Sequence, residues 1–211
     1  MLPSYYTVKG YGENEIEIER SRFIAHVGRA ETADEALEFI QKIKKIHSNA
    51  THNCSAYLIG ENDQIQKAND DGEPSGTAGV PILEVLKKKK LKDTVVVITR
   101  YFGGIKLGAG GLIRAYGRAT SEGLQATGIV ERKLMTVMKT KIDYTLLGKV
   151  ENELRYSNYD VKEIHYQENV EIETYVDKSK TDSFSKWMLN LTNGQSNIII
   201  GESLYLETEI T

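Results

Sequence analysis

The sequence predicts an α+β protein of two domains, and three observations carry that prediction. The chain has 211 residues, above the common single-domain size of about 100 to 150. Its composition changes near 128–133. Of 18 glycines, 16 lie at or before Gly148, most of them between Gly72 and Gly128, and beyond that stretch β-branched and charged residues alternate. Over roughly the last 75 residues the hydrophobic pattern also runs in the order β-α-β-β-α-β. Domains of 1–130 and 131–211 follow.

In the first domain, Ile16 to Glu19 and Arg22 to Gly28 read as strands. Thr32 to Ile46 reads as a helix, with Thr32 as N-cap and Leu37, Ile40, Ile43 and Ile46 on one face. Cys54 to Ile59 is a strand, and after a turn at Gly60 to Asp63 the chain returns through Ile65 to Ala68. Ser75 or Thr77 can cap the next helix, which carries Val80, Leu83 and Leu86 and tolerates Pro81 in its first turns. Thr94 to Thr99 (TVVVIT) is almost continuously apolar, the mark of a strand buried on both faces. A glycine-rich loop and a helix from about Gly110 to Thr127 complete the domain.

In the second domain, Thr136 to Tyr144 alternates as a strand, and Leu147, Val150 and Leu154 form a helical stripe. Tyr159 to Tyr166 and Asn169 to Val176 form a hairpin in which Val170, Ile172, Thr174 and Val176 share a face. Phe184, Met188 and Leu191 stand at i, i+4 and i+7, Gly194 suits a helix C-cap region, and Ile198 to Glu209 is the last strand. This is the order of a ferredoxin-like split sandwich.

Bulk composition limits the function classes. Hydrophobic residues make up 40% and charged residues 27%, ordinary for a globular protein whose core needs no disulfide or structural metal. Cys54 is the single cysteine, so no intramolecular disulfide forms and a reducing, cytoplasmic setting is expected. No stretch approaches the roughly 18 apolar residues of a membrane span, so no membrane partner is expected. The net charge of −3 hides an asymmetry. Residues 1–130 hold 17 Lys/Arg against 16 Asp/Glu, and Leu86 to Arg118 alone holds nine basic residues against Asp93. Such a local excess favours an anionic partner, although Lys87 to Lys90 alone fits a solvated helix end equally well.

The chemistry concentrates in two segments. RYFGGIKLGAGG (100–111) joins a buried strand to a helix, where unpaired backbone N–H groups and the positive end of the helix dipole point outward. Gly103, Gly104, Gly108, Gly110 and Gly111 allow positive φ and close ligand approach. Arg100 and Lys106 can reach one mouth, and Arg114 and Arg118, four apart, share a helical face. Tyr101 and Phe102 are placed to stack on a base. The segment is not a P-loop, because Ala109 stands where that motif requires lysine, and no Gly-x-Gly-x-x-Gly follows the strand. The plain alternative is that the glycines serve helix-on-sheet packing and a turn.

DDGEPSGTAG (70–79) gathers Asp70, Asp71, Glu73, Ser75 and Thr77 ahead of a helix. Carboxylates beside a phosphate can hold Mg²⁺; the alternative is an acidic turn whose carboxylates answer Arg100 or the helix dipole. His52 and Cys54 share a strand face, but no third group is evident to orient the histidine for nucleophilic catalysis. His26, His47 and His165 are scattered, and neither HExxH nor CxxC occurs, which argues against zinc.

SRFIA (21–25), ATHNCSAY (50–57), DDGEPSGTAGVPIL (70–83) and VVVITRYFGGIKLGAGGLIRAYGRA (95–119) resemble the IMPACT/YigZ family. The second half is similar to the C-terminal domain of its bacterial members, so the resemblance spans essentially the whole chain. It implies a first domain of the ribosomal-protein type seen in domain IV of elongation factor G, and a ferredoxin-like second domain similar to domain V of that factor. Eukaryotic relatives regulate translation under amino-acid starvation through protein contacts and lack this C-terminal domain. The same ribosomal-type fold also serves small-molecule kinases. The leading reading is therefore a translation-linked regulator whose crevice binds RNA or the ribosome. Arg100, Lys106, Arg114 and Arg118 would supply charge there, with Arg22 added because it falls within SRFIA. The rivals are an enzyme on a phosphorylated or nucleotide substrate with Mg²⁺, and a protein-docking module.

Overall fold

The computed structural model describes residues 1–210. Its strands are β1 (Ser4–Val8), β2 (Gly12–Ile18), β3 (Ser21–Arg29), β4 (His52–Ile59), β5 (Ile65–Asn69), β6 (Thr94–Tyr101), β7 (Ile129–Ile142), β8 (Asp160–Tyr166), β9 (Val170–Asp177) and β10 (Asn197–Ile210). Its helices are α1 (Ala33–Ile46), α2 (Gly79–Lys88), α3 (Gly108–Thr127), α4 (Tyr144–Tyr156) and α5 (Thr181–Leu191). One compact unit holds Tyr5–Glu131 with 208–210; the other holds Met1–Ser4 and Arg132–Glu207.

The first unit is organised around β6, central in an antiparallel sheet of order β2-β3-β6-β4-β5. Val96 and Ile98 pack with Phe23, Ala25 and Val27 of β3 and with Cys54, Ala56 and Leu58 of β4, under α2 and α3. Val95 and Val97 face the other way, against Ala36, Ile40 and Ile43 of α1. Both faces being covered explains the unbroken TVVVIT run. Each of the buried Val, Leu, Ile and Phe side chains among these contributes about 1.5–3 kcal/mol relative to exposure.

Local rules set most helix ends. Thr32 caps α1 as expected, its hydroxyl accepting the N–H of Glu35 at 3.2 Å. The buried stripe is Ala36, Ile40 and Ile43, however, while Leu37 and Ile46 are exposed. The i, i+4, i+7 line of Ala36 is the one that meets the sheet. For α2 neither Ser75 nor Thr77 is the cap. Ala78 holds that position, and Asp70 caps from a distance: Oδ1 accepts the N–H groups of Ala78 (3.0 Å) and Gly79 (2.8 Å).

The second unit has the expected β-α-β-β-α-β order. Its sheet runs β7-β9-β8, with β10 also paired to β7. The strand order β10-β7-β9-β8 is that of a ferredoxin-like split sandwich. Val170, Ile172, Thr174 and Val176 are all fully buried on one face of β9. Val150, Leu154, Phe184 and Met188 of α4 and α5 complete that core. β7 begins at Ile129 rather than Thr136. Among the described residues no helix is long and apolar enough to cross a membrane.

Candidate phosphate-binding surface

Pleating sends successive residues of β6 to opposite faces, and this decides the roles of Arg100 and Tyr101. Arg100 lies across from Phe23 on the side of α2 and α3 and is only 4% exposed. Its Nη1 donates to Glu73 Oε1 at 2.6 Å, and its guanidinium lies 5.4 and 5.5 Å from the ring centres of Phe23 and Phe102. Glu73, itself buried, also accepts the Tyr116 hydroxyl at 2.8 Å. Arg100 is thus a neutralised, interior cation and supplies no charge to a crevice.

Tyr101 and Arg22 face each other across β3 and β6 on the α1 side of the sheet. The Tyr101 hydroxyl meets His47 Nδ1 at 2.9 Å. The Arg22 guanidinium lies 5.3 Å from the Tyr101 ring centre and grips Glu15 through two bonds of 2.8 Å. The expectation that these two residues join Arg100 at one mouth is therefore corrected by strand parity.

Three of the predicted cations do converge. Lys106, Arg114 and Arg118, with Ile105, Leu107 and Gly111, line an open hollow of about 430 Å³ at the start of α3. Leu107, at the N-cap, offers no side-chain hydrogen bond to the first turn. Gly108, Ala109 and Gly110 are exposed, and the amides of a helix's first turn have no partner within the helix, while Leu107 and Gly111 of that turn line the hollow with the cations. Glu19 also lines the hollow, and Arg118 holds Glu122 at 2.7 Å, which tempers the positive field. Phe102 (45% exposed), Ile105 and Ile113 are exposed apolar residues of the same segment. Gly103 has a structural duty instead: a Cβ there would lie 1.9 Å from the Arg20 carbonyl oxygen. Gly104 and Gly108 adopt φ of +88° and +68°, which β-carbon-bearing residues rarely do.

The acidic loop turns inward. Asp70 accepts from the N–H of Gly76, Ala78 and Gly79. Burial works to raise its pKa, but these three donors outweigh it and hold the group below its usual value. Asp71 accepts from Lys44 Nζ at 2.6 Å and from the N–H of Asn53 at 2.7 Å. Thr77 donates to the Pro74 carbonyl, while Ser75 is exposed. The carboxylates of Asp70, Asp71 and Glu73 thus have protein partners, which is the arrangement of a braced loop rather than of a Mg²⁺ cradle. Cys54 is sealed: burial pushes its thiol up to about 12, and its sulfur lies 2.9 Å from the Asp70 carbonyl and 3.3 Å from the Tyr116 hydroxyl. His52 turns Nδ1 to the Asp71 carbonyl at 2.8 Å, so the two residues form no nucleophile–base pair.

The family model of the Impact N-terminal domain matches residues 19–124, a span that holds both motif segments and every residue lining the hollow except Ile18. The chain belongs to the IMPACT family. A domain of unknown function, DUF1949, matches residues 140–195. The chain is 70% identical to the IMPACT family member YvyE of Bacillus subtilis (strain 168) over 210 residues, covering 100% of this chain and 97% of that protein. It is 30% identical to the IMPACT family member YigZ of Escherichia coli (strain K12), covering 87% and 91% respectively. A crystal structure described as that of a hypothetical protein superposes with a TM-score of 0.61 at 27% identity, covering 96% of this chain and 99% of the other.

In this IMPACT-family chain the network of Cys54, Glu73, Arg100 and Tyr116 is what sequence reasoning missed. Tyr116 shares the inward face of α3 with Leu112 and Ala119, so its spacing reads simply as core. The available signal is the acidic loop 70–73, whose carboxylates can answer Arg100, a pairing the sequence offers only as an alternative.

Proposed function

We propose that this chain is a binding protein that engages RNA, free or within the ribosome, in translation-linked regulation in the cytoplasm. The observation that carries the reading is the convergence of Lys106, Arg114 and Arg118 on the uncapped start of α3. Phosphate oxygens suit that combination, because backbone amides and guanidinium groups donate to them together. Phe102, exposed in the same loop as Lys106, offers a ring for a neighbouring base. Gly111 lines the hollow and puts no side chain into it. No observation favours the enzyme reading, since the acidic loop is committed to α2, Lys44 and Arg100.

RNA binding measured against salt concentration tests this. Each phosphate contact contributes about 0.7 to 0.9 to the logarithmic salt slope, so Lys106→Ala/Arg114→Ala should flatten it by about 1.4 to 1.8. Both side chains are exposed, so the melting temperature should hold. Coincident slopes for mutant and parent would sink the reading.

A further inference from the structure

Edge strands present unpaired N–H and C=O groups, and natural chains guard them with charges, bulges or covering segments. β2 carries Glu13, Glu15 and Glu17, and β5 carries Lys67. β8 carries Lys162 and Glu163 and has an irregular register between Val161 and Glu163. β1 is covered, since Lys92 N–H donates to the Tyr6 carbonyl and Arg29 to that of Val8. The first part of β10 has none of these devices. Asn197–Gly201 (NIIIG) is uncharged, β10 pairs with β7 alone among the described residues, and Ile199 and Ile200 are 51% and 62% exposed.

We infer that this edge pairs with the same edge of a second copy, antiparallel about a two-fold axis at Ile199. Self-complementarity picks the occupant. With the axis normal to the sheet, opposed residues share a face, so Ile199 meets its own copy. Ile198 meets Ile200, Asn197 meets Gly201, and Ser196 meets Glu202; no like charges are opposed. Ile198 already packs on the core under the helices, and the partner's Ile200 extends that core. The same construction centred on the middle of β2, β5 or β8 sets Glu15, Lys67 or Glu163 against itself, which is unfavourable. A pairing of a few residues lies below the standard interface of about 1,200–2,000 Å², so the dimer is weak and concentration-dependent.

Sedimentation velocity on the full chain, over a concentration series reaching hundreds of micromolar, is the test. The wild type should shift from monomer toward dimer. Ile199→Lys and Ile199→Glu should each weaken association about tenfold or more, with circular dichroism and melting unchanged because the site is exposed. An equimolar mixture of the two variants should associate again, since Lys then opposes Glu at the axis. A wild type that stays monomeric throughout overturns the inference, whatever the variants do. So does a dimer that survives Ile199→Lys.

Discussion

Arg100 and His26 show how neighbours decide what a titratable residue does. Removing one partner of the Arg100–Glu73 pair leaves a buried charge exposed to no counter-ion, a loss of about 3–5 kcal/mol. Glu73→Ala and Arg100→Ala should each lower the urea midpoint accordingly, and loss of binding in either would report unfolding rather than a missing contact. Lys106→Ala should leave the midpoint alone. His26, 1% exposed, sits beside Tyr11, Glu13 and His47. Burial pushes its pKa from 6.5 down to about 4, with Glu13 pulling upward and His47 pushing down. The unfolded chain therefore binds a proton that the native state refuses. The contribution is fully present above pH 6.5 and is lost as pH falls toward 4. Melting followed from pH 7.5 to 4 should fall less steeply in His26→Leu; parallel curves would contradict this.

At the level of elements, α3 and the loop that leads into it contain glycines with different duties. Gly103→Ala drives a Cβ into the Arg20 carbonyl and should destabilise strongly. Gly117 has nothing within 4 Å of a built Cβ, so Gly117→Ala should stabilise the helix by about 0.5–1 kcal/mol. In the first turn of α3, Gly110→Ala meets only the Arg114 side chain, at an ordinary 3.5 Å. It should preserve stability while weakening RNA binding, and equal affinity would show that no ligand approaches that backbone. How legible each element was depends on the range of its determinants. The Thr32 cap, the TVVVIT strand and the β9 face rest on neighbours in sequence or on simple period. The α2 cap does not, because Asp70 is eight residues from Ala78 and only the folded loop brings them together. For the same reason Lys106, Arg114 and Arg118 were readable as a group, being on one loop and one helical face. The burial of Arg100 depends on Glu73 and Phe23, which are distant in sequence.

For the molecule as a whole, charge is arranged against unwanted pairing along the sheet edges. The glutamates of β2 and the lysine of β5 guard one sheet, and Lys162 and Glu163 guard one edge of the other. Ile210 lines a cleft of about 590 Å³ with Tyr6 and Leu124, and 208–210 group with Tyr5–Glu131. A fragment ending at Glu131 should therefore melt below the same unit in the full chain by calorimetry; an equal melting temperature would count against that grouping. Finally, the sealed thiol makes the chain its own stopwatch. With almost no thiolate available at neutral pH, alkylation of Cys54 must wait for the surrounding fold to open. Its modification rate thus reads the free energy of that opening directly, with no dye, tag or denaturant required.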